Sequence, residues 1–193
     1  MKKFLAPQPI LFPSPVLIIG TYGENDAPNI MNAAWGGIAA SKPPCVSISV
    51  QPPRLTHDNI VKNKAFTVNI PSEKYVKQAD YAGLVSGREF NKFEEAKLTP
   101  EKSALVNAPY IKEFPYCLEC KLVNTVNVGS HTMFIGEIVG IVADGNVLGK
   151  NNLPDIKKVK PIMFGSFGSR AYYGVGNKIG DAFSVGNKIK KTK

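Results

Sequence analysis

The 193 residues are 44% hydrophobic and 20% charged, the balance of an ordinary soluble globular protein with one sizeable core. The formal charge of +9 is uneven: residues 150–193 hold ten Lys/Arg against Asp155 and Asp181, and the preceding body is nearly neutral. No run reaches the roughly 18 apolar residues that a membrane-spanning helix needs, which argues against a membrane protein.

The opening MKKFL has the flavour of a secretory leader, but Pro7, Pro9, Pro13 and Pro15 break any apolar helix there. Three cysteines, Cys45, Cys117 and Cys120, do not make an even disulfide framework and fit a reducing cytoplasm. The whole chain, residues 1–193, is expected to form a single domain with a basic, Gly-rich tail from about residue 170. The last residues, KIKKTK, are expected to be a solvated end.

In chain order, Val16–Thr21 predicts a strand, followed by a turn over Tyr22–Asp26 and a returning strand over Pro28–Ala34. Cys45–Val50 predicts a third, with Val46, Ile48 and Val50 on one face and Ser47 and Ser49 on the other. After the Pro52-Pro53 break, Thr56 is placed as the cap of a short helix over His57–Lys64. A strand over Ala65–Ile70 and a helix over Glu73–Leu84 come next, and Ser86-Gly87 ends that helix. Arg88–Lys97 reads as a charged, solvated segment.

Tyr116–Val126 and Met133–Val142 are long β runs joined by Asn127-Val128-Gly129-Ser130, a hairpin signal. Pro161–Phe167 is the last apolar stretch. Strands follow one another without regular helical crossovers, so a mainly β, antiparallel sheet or closed barrel with flanking helices is expected.

The chemistry concentrates in Asn29–Val50 and the turn PPRLTHDN behind it. Small residues flank the only Trp, Trp35, and let a planar ligand come close to the backbone. Arg54 offers a fork of donors, Thr56 a hydroxyl, and the helix behind them free N–H groups for an anion, with Asn59 in its first turn. Ser86, Gly87 and Lys92 form a second donor set able to close the same pocket. His131 stands where a loop meets a strand, able to donate to a ring or move a proton.

Each of these residues also has an ordinary reading: a lone Trp is usually core, and a lone His is usually packed. Phe164 either packs in the core or covers a ring. Cys117 and Cys120 have C-x-x-C spacing, but on a strand their sulfurs point to opposite faces, so no metal site is expected. Gly174–Gly180 has one spacer too many for a dinucleotide loop. No Ser/His/Asp arrangement is readable, and no essential side-chain acid or base is expected.

Taken in order, these pieces resemble the flavin reductase-like family, flavoredoxin branch. The matching motifs are Pro15–Ile18, Asn29–Trp35, Ser41–Pro44, Arg54–Ile60, Phe66–Pro71, Ser86–Phe93 and Gly129–Glu137, spread over most of residues 13–170. The resemblance implies an FMN-binding split barrel, a six-stranded antiparallel Greek-key barrel with flanking helices, working as a homodimer with FMN near the interface.

It also implies that Asn32, Ala33, Ala34 and Trp35 line the flavin ring, while Ser47, Ser49 and Val50 meet the ring edge or ribityl chain. Arg54, Thr56, Asn59, Ser86, Gly87 and Lys92 would surround the phosphate, and His131 and Phe164 would close the pocket. Met31 departs from the hydroxyl residue usual beside Asn32. The function implied is redox chemistry through FMN, fed by NAD(P)H or by a partner protein. A basic nucleic-acid-binding barrel is the alternative. The tail favours it, and the lack of aromatics interleaved with Arg argues against it.

Overall fold

The computed structural model describes residues 1–189, so the expected solvated ending lies, from residue 190 onward, outside the described residues. The elements are β1 (Ser14–Pro15), β2 (Leu17–Tyr22), β3 (Pro28–Ala33), β4 (Gly36–Ser41), β5 (Pro44–Val50), α1 (Leu55–Asn63), β6 (Ala65–Ile70), α2 (Val76–Leu84), α3 (Lys92–Glu95), β7 (Pro100–Lys102), β8 (Pro109–Ile111), β9 (Tyr116–Val128), β10 (His131–Ala143), α4 (Ile156–Val159), β11 (Ile162–Phe164), α5 (Ser166–Ser169) and β12 (Tyr172–Gly174).

Seven strands form one sheet in the order β3-β2-β6-β9-β10-β5-β4. Every neighbouring pair is antiparallel. The sheet curls until its ends approach: a Cβ placed on Gly36 of β4 would stand 2.9 Å from Leu17 Cδ1 of β2 and 2.6 Å from the Ser47 carbonyl. Only glycine fits where strands close so tightly. The mainly β, split-barrel expectation holds. The sheet counts seven strands where the resemblance implied a six-stranded barrel; β4, GGIAAS, is a strand that no alternation announces.

One apolar cluster fills the barrel. Leu17 and Ile19 of β2, Val46, Ile48 and Val50 of β5, and Phe134 of β10 all belong to it. The alternation read in β5 is therefore the pleat of a strand with one face in this interior. β2 is buried on both faces. Val16, just ahead of it, and its Ile18 pack with Ile30 of β3 against Ala79 and Ala82 of α2 and Phe93 of α3. This second core fixes α2 and α3 beside the end of β3, where the candidate site lies.

Three local readings are corrected. The helix behind Pro52-Pro53 begins at Leu55 with Arg54 as its N-cap, so Thr56 is its second residue and not its cap. The turn itself sets this start, since Arg54 N–H donates to the Gln51 carbonyl at 3.1 Å. The helix expected over Glu73–Leu84 opens as a 3₁₀ turn at Glu73–Tyr75 before α2. The segment around Lys92 is not a solvated charge run: Lys92 and Phe93 open α3 with both side chains buried.

β9 and β10 meet in a two-residue turn at Gly129-Ser130, where Gly129 has φ +54°, a conformation glycine adopts without strain. The C-terminal strands β11 and β12 pair with β1 in a separate small sheet. Among the described residues no helix is long and apolar enough to cross a membrane.

Candidate functional site

Two adjoining cavities open where β3 and β5 end. The first, about 290 Å³, is walled by Asn29, Met31, Asn32, Gln51, Arg54, Thr56, Ser86, Gly87 and Lys92, among others. The second, about 270 Å³, is walled by Met31 through Trp35, by Ser49 through Gln51, and by Arg54 and His131. Met31, Asn32, Gln51 and Arg54 belong to both, so they mark the passage between the two.

The first cavity is cationic, and among the described residues no carboxylate stands in its wall. Arg54 lies exposed at its mouth. The first residues of α1, Leu55 and Thr56, come before the turn of backbone that supplies intrahelical acceptors, so their amides add donors there. Lys92 is 5% exposed, and its ammonium donates to the Ala82 carbonyl at 2.7 Å. Burial, and then the neighbouring Arg54 charge, pulls this ammonium down to about 8. A buried lysine beside an arginine, with no acid in the same wall, is a site that an anion would stabilise.

Asn29 organises the back of this cavity. Its Nδ2 donates to Thr56 Oγ1 at 3.0 Å, which leaves the Thr56 hydroxyl hydrogen free to donate elsewhere. Any Cβ on Gly87 would collide with the Asn29 amide, so glycine is required at that position. Asp58, the acid nearest in sequence, is turned away and accepts from Arg88 at 2.6 Å.

The second cavity is a slot for something flat. Trp35 is 40% exposed, so it is not the core residue that a lone Trp usually is. Its ring lies 4.8 Å from that of His131, tilted by 41°. The His131 Nδ1 is 2.9 Å from Ser130 Oγ, which orients the imidazole. Ala33 and Ala34 leave room beside them, and the Trp35 carbonyl is tied to Ser49 N–H at 2.8 Å.

Of the residues singled out from sequence, Asn32, Arg54, Thr56, Ser86, Gly87 and Lys92 meet in the first cavity. Asn32, Ala33, Ala34, Trp35, Ser49, Val50, Arg54 and His131 meet in the second. Three lie outside both walls. Ser47 Oγ donates to the Gly37 carbonyl at 3.3 Å, toward an apolar groove beside Trp35. Asn59 Nδ2 donates to Thr21 Oγ1 at 3.0 Å, behind the helix. Phe164 sits on β11 with its ring 5.7 Å from Tyr172.

Asn29 and Gln51 line the first cavity without having been singled out. Asn29 does head the N-x-M-N run, but its role rests on a partner 27 residues away, which spacing does not disclose. The C-x-x-C cysteines are free and buried, with only Cys120 in the barrel interior. Among the described residues no three His, Cys, Asp or Glu side chains converge as metal ligands.

A cationic cavity beside one walled by Trp35 and His131, at the end of an antiparallel barrel, suits a ligand with an anionic end and a planar ring; comparison with known proteins gives the family. The family model of the flavin reductase like domain matches residues 10–163, and the chain belongs to that family. Its fold is similar to that of the flavoredoxin of Desulfovibrio vulgaris (Miyazaki F), with a TM-score of 0.91 and 44% identity, covering 96% of this chain and 100% of that one. The flavoredoxin from Methanosarcina acetivorans gives a TM-score of 0.90 at 29% identity, covering 98% and 100%. A protein of Archaeoglobus fulgidus, described as uncharacterized, is 36% identical over 143 residues, 74% of this chain and 79% of its own.

Proposed function

We propose that this protein is an FMN-binding redox flavoprotein of the flavoredoxin type. The observation that carries the reading is the carboxylate-free cavity with two cations, Arg54 and Lys92, opening into the slot walled by Trp35 and His131. FMN has a dianionic end and a planar ring joined by a short polar chain, and the two adjoining cavities match that order. Family membership and the likeness to two flavoredoxins support a flavin as the ligand.

When bound, FMN supplies hydride or single-electron transfer. The protein's own groups bind and orient it. Arg54, Lys92, Ser86, Thr56 and the amides of early α1 hold the phosphate, and Gly87 leaves room for the Asn29 amide that supports Thr56. Trp35 covers one part of the ring, with Ala33 and Ala34 allowing close approach. His131, held by Ser130, donates toward the ring or carries a proton at its edge.

We take the electron donor to be NAD(P)H or a redox partner protein, and the working form to be a homodimer. Three unpaired, buried cysteines support a reducing, cytoplasmic setting. The test is direct. The purified protein should be yellow, or turn yellow on adding FMN, with the absorbance bands of oxidised flavin. Thr56→Ala and Lys92→Ala should each weaken FMN by about 1–3 kcal/mol. A colourless protein that takes up no FMN would overturn the reading. Stopped-flow mixing with NADH and NADPH separates a reductase, which bleaches, from a carrier, which stays oxidised.

A further inference from the structure

We infer that Tyr172 and Asp80 lock the amide of Asn32 so that it presents only its carbonyl oxygen to the ligand, making Asn32 a selector for an O–H or N–H donor at the passage between the two cavities. The inference rests on the FMN reading for the identity of that donor, but the lock itself is read from hydrogen-bond geometry.

Asn32 lies on β3 and walls both cavities. Its Nδ2 donates to the Ala79 carbonyl at 2.9 Å and to Tyr172 Oη at 3.4 Å. Tyr172 Oη in turn donates to Asp80 Oδ1 at 2.8 Å. Two obligations fix the direction of the chain. A backbone carbonyl only accepts, so the Asn32 atom facing Ala79 is the nitrogen. An ionised carboxylate only accepts, so the Tyr172 hydrogen points at Asp80 and its oxygen is left to accept from Asn32.

Both Asn32 N–H groups are thereby engaged inside the protein, and Oδ1 is the only polar atom that this side chain has left for a ligand. An unlocked asparagine turns over and offers either end. Burial, and then the hydrogen bond to Asp80, raises the Tyr172 phenol to about 12, so it remains a donor across the working range of pH.

The lock is assembled from distant parts of the chain. Tyr172 is on β12, 140 residues beyond Asn32 and outside the stretch matched by the family model. Pairing of Phe164 with Tyr172 between β11 and β12 carries the phenol back toward α2 and β3. With FMN bound phosphate-first in the cationic cavity, the group crossing this passage is the ribityl chain, whose hydroxyls are donors. Tyr172 and Asp80 are thus positioning residues for a hydroxyl contact made by Asn32.

The test compares FMN with analogues lacking one ribityl hydroxyl at a time, each titrated by flavin fluorescence against wild type, Tyr172→Phe, Asp80→Leu and Asp80→Asn. Tyr172→Phe and Asp80→Leu should weaken FMN about fivefold, as expected for one neutral hydrogen bond. That loss should vanish for one particular deoxy analogue. Asp80→Asn keeps an acceptor for Tyr172 and should bind nearly as wild type.

Equal losses on every analogue, or no loss on FMN, would overturn the lock while leaving the flavin reading intact. Failure of wild type to bind any of these flavins would overturn the flavin reading and this inference together. Thermal unfolding of the same variants guards against a folding defect. A variant that unfolds is replaced by Tyr172→His, which is smaller and cannot reproduce the same geometry, and the same analogue pattern is required of it.

Discussion

The Lys92 ammonium donates to the Ala82 carbonyl at 2.7 Å, which ties the start of α3 to the last turn of α2, while Lys92 also lines the cavity it shares with Arg54. That single contact leaves two of its N–H donors for a ligand. It also explains why a buried charge is tolerated here at all.

Its pH consequences have two signs. Lys92 falls from an ordinary 10.5 to about 8 in the folded protein. Between those values the unfolded chain holds a proton that the folded chain has released, so this group's contribution to apoprotein stability rises with pH across the window. FMN binding runs the other way, because a phosphate dianion favours the charged amine. Affinity should be level just below about pH 8 and fall by up to tenfold per unit above it. Below about pH 6 the phosphate gains a proton and affinity should fall again. Fluorescence titration from about pH 5.5 to 9.5 measures both limbs, and Lys92→Met should erase the upper one.

Gly87→Ala should damage the anion site more than the fold. The added Cβ collides with the amide of Asn29, which holds Thr56 Oγ1 at 3.0 Å. Relief requires Asn29 to move, and Thr56 with it. The expected cost is about 1–3 kcal/mol of stability, the usual penalty for overpacking, with a loss of FMN affinity of at least tenfold. Urea unfolding and flavin titration of the same preparation separate the two effects. An unchanged affinity would show that Asn29 and Thr56 are not held rigidly for the ligand.

Trp35→Ala should likewise cost the site more than the fold. At 40% exposure the indole contributes far less to stability than the roughly 3–5 kcal/mol of a fully buried Trp. Its face, beside His131, is the main aromatic surface of the slot. Removal should weaken FMN by about 1 kcal/mol, the size of one aromatic contact. As Trp35 is the chain's only Trp, its fluorescence should be quenched as FMN binds. Unquenched emission at saturating FMN would place the ring elsewhere.

The cysteines should be chemically silent in the native state. Burial is the main cause that pushes the Cys117 thiol up to about 12, and Cys120 is pushed higher still. Thiolate, the reactive form, is then scarce at neutral pH. A chromogenic disulfide reagent should find almost no thiol before unfolding and all three after it. Rapid native reaction at two thiols would instead mark the C-x-x-C pair as redox-active.

Alternation and turn chemistry were enough to find β2, β3, β5, β6, β9 and β10 from the sequence, because each strand has one face committed to the barrel interior. They failed for β4, whose Gly and Ala residues carry no pattern, since its place is set by a close approach to Leu17 and Ser47. The same contrast holds at the site. Arg54 and Thr56 could be grouped from sequence because they stand two residues apart at the head of one helix, and they do share one cavity wall.

What the residue order by itself determined was the inventory: an apolar barrel, a cationic turn, and a Trp among small neighbours. What only the tertiary structure decided was which of these meet and how they are aimed. Lys92 looks solvated until Phe93 packs against the outer face of β2 and β3 and carries its neighbour inward. Asn59 looks like a phosphate ligand until Thr21 takes its amide. The orientation of Asn32 depends on Tyr172, 140 residues away. Local sequence fixes periodicity and propensity over a turn or a strand, whereas hydrogen-bond partners and burial are set by contacts that form only when the sheet curls closed.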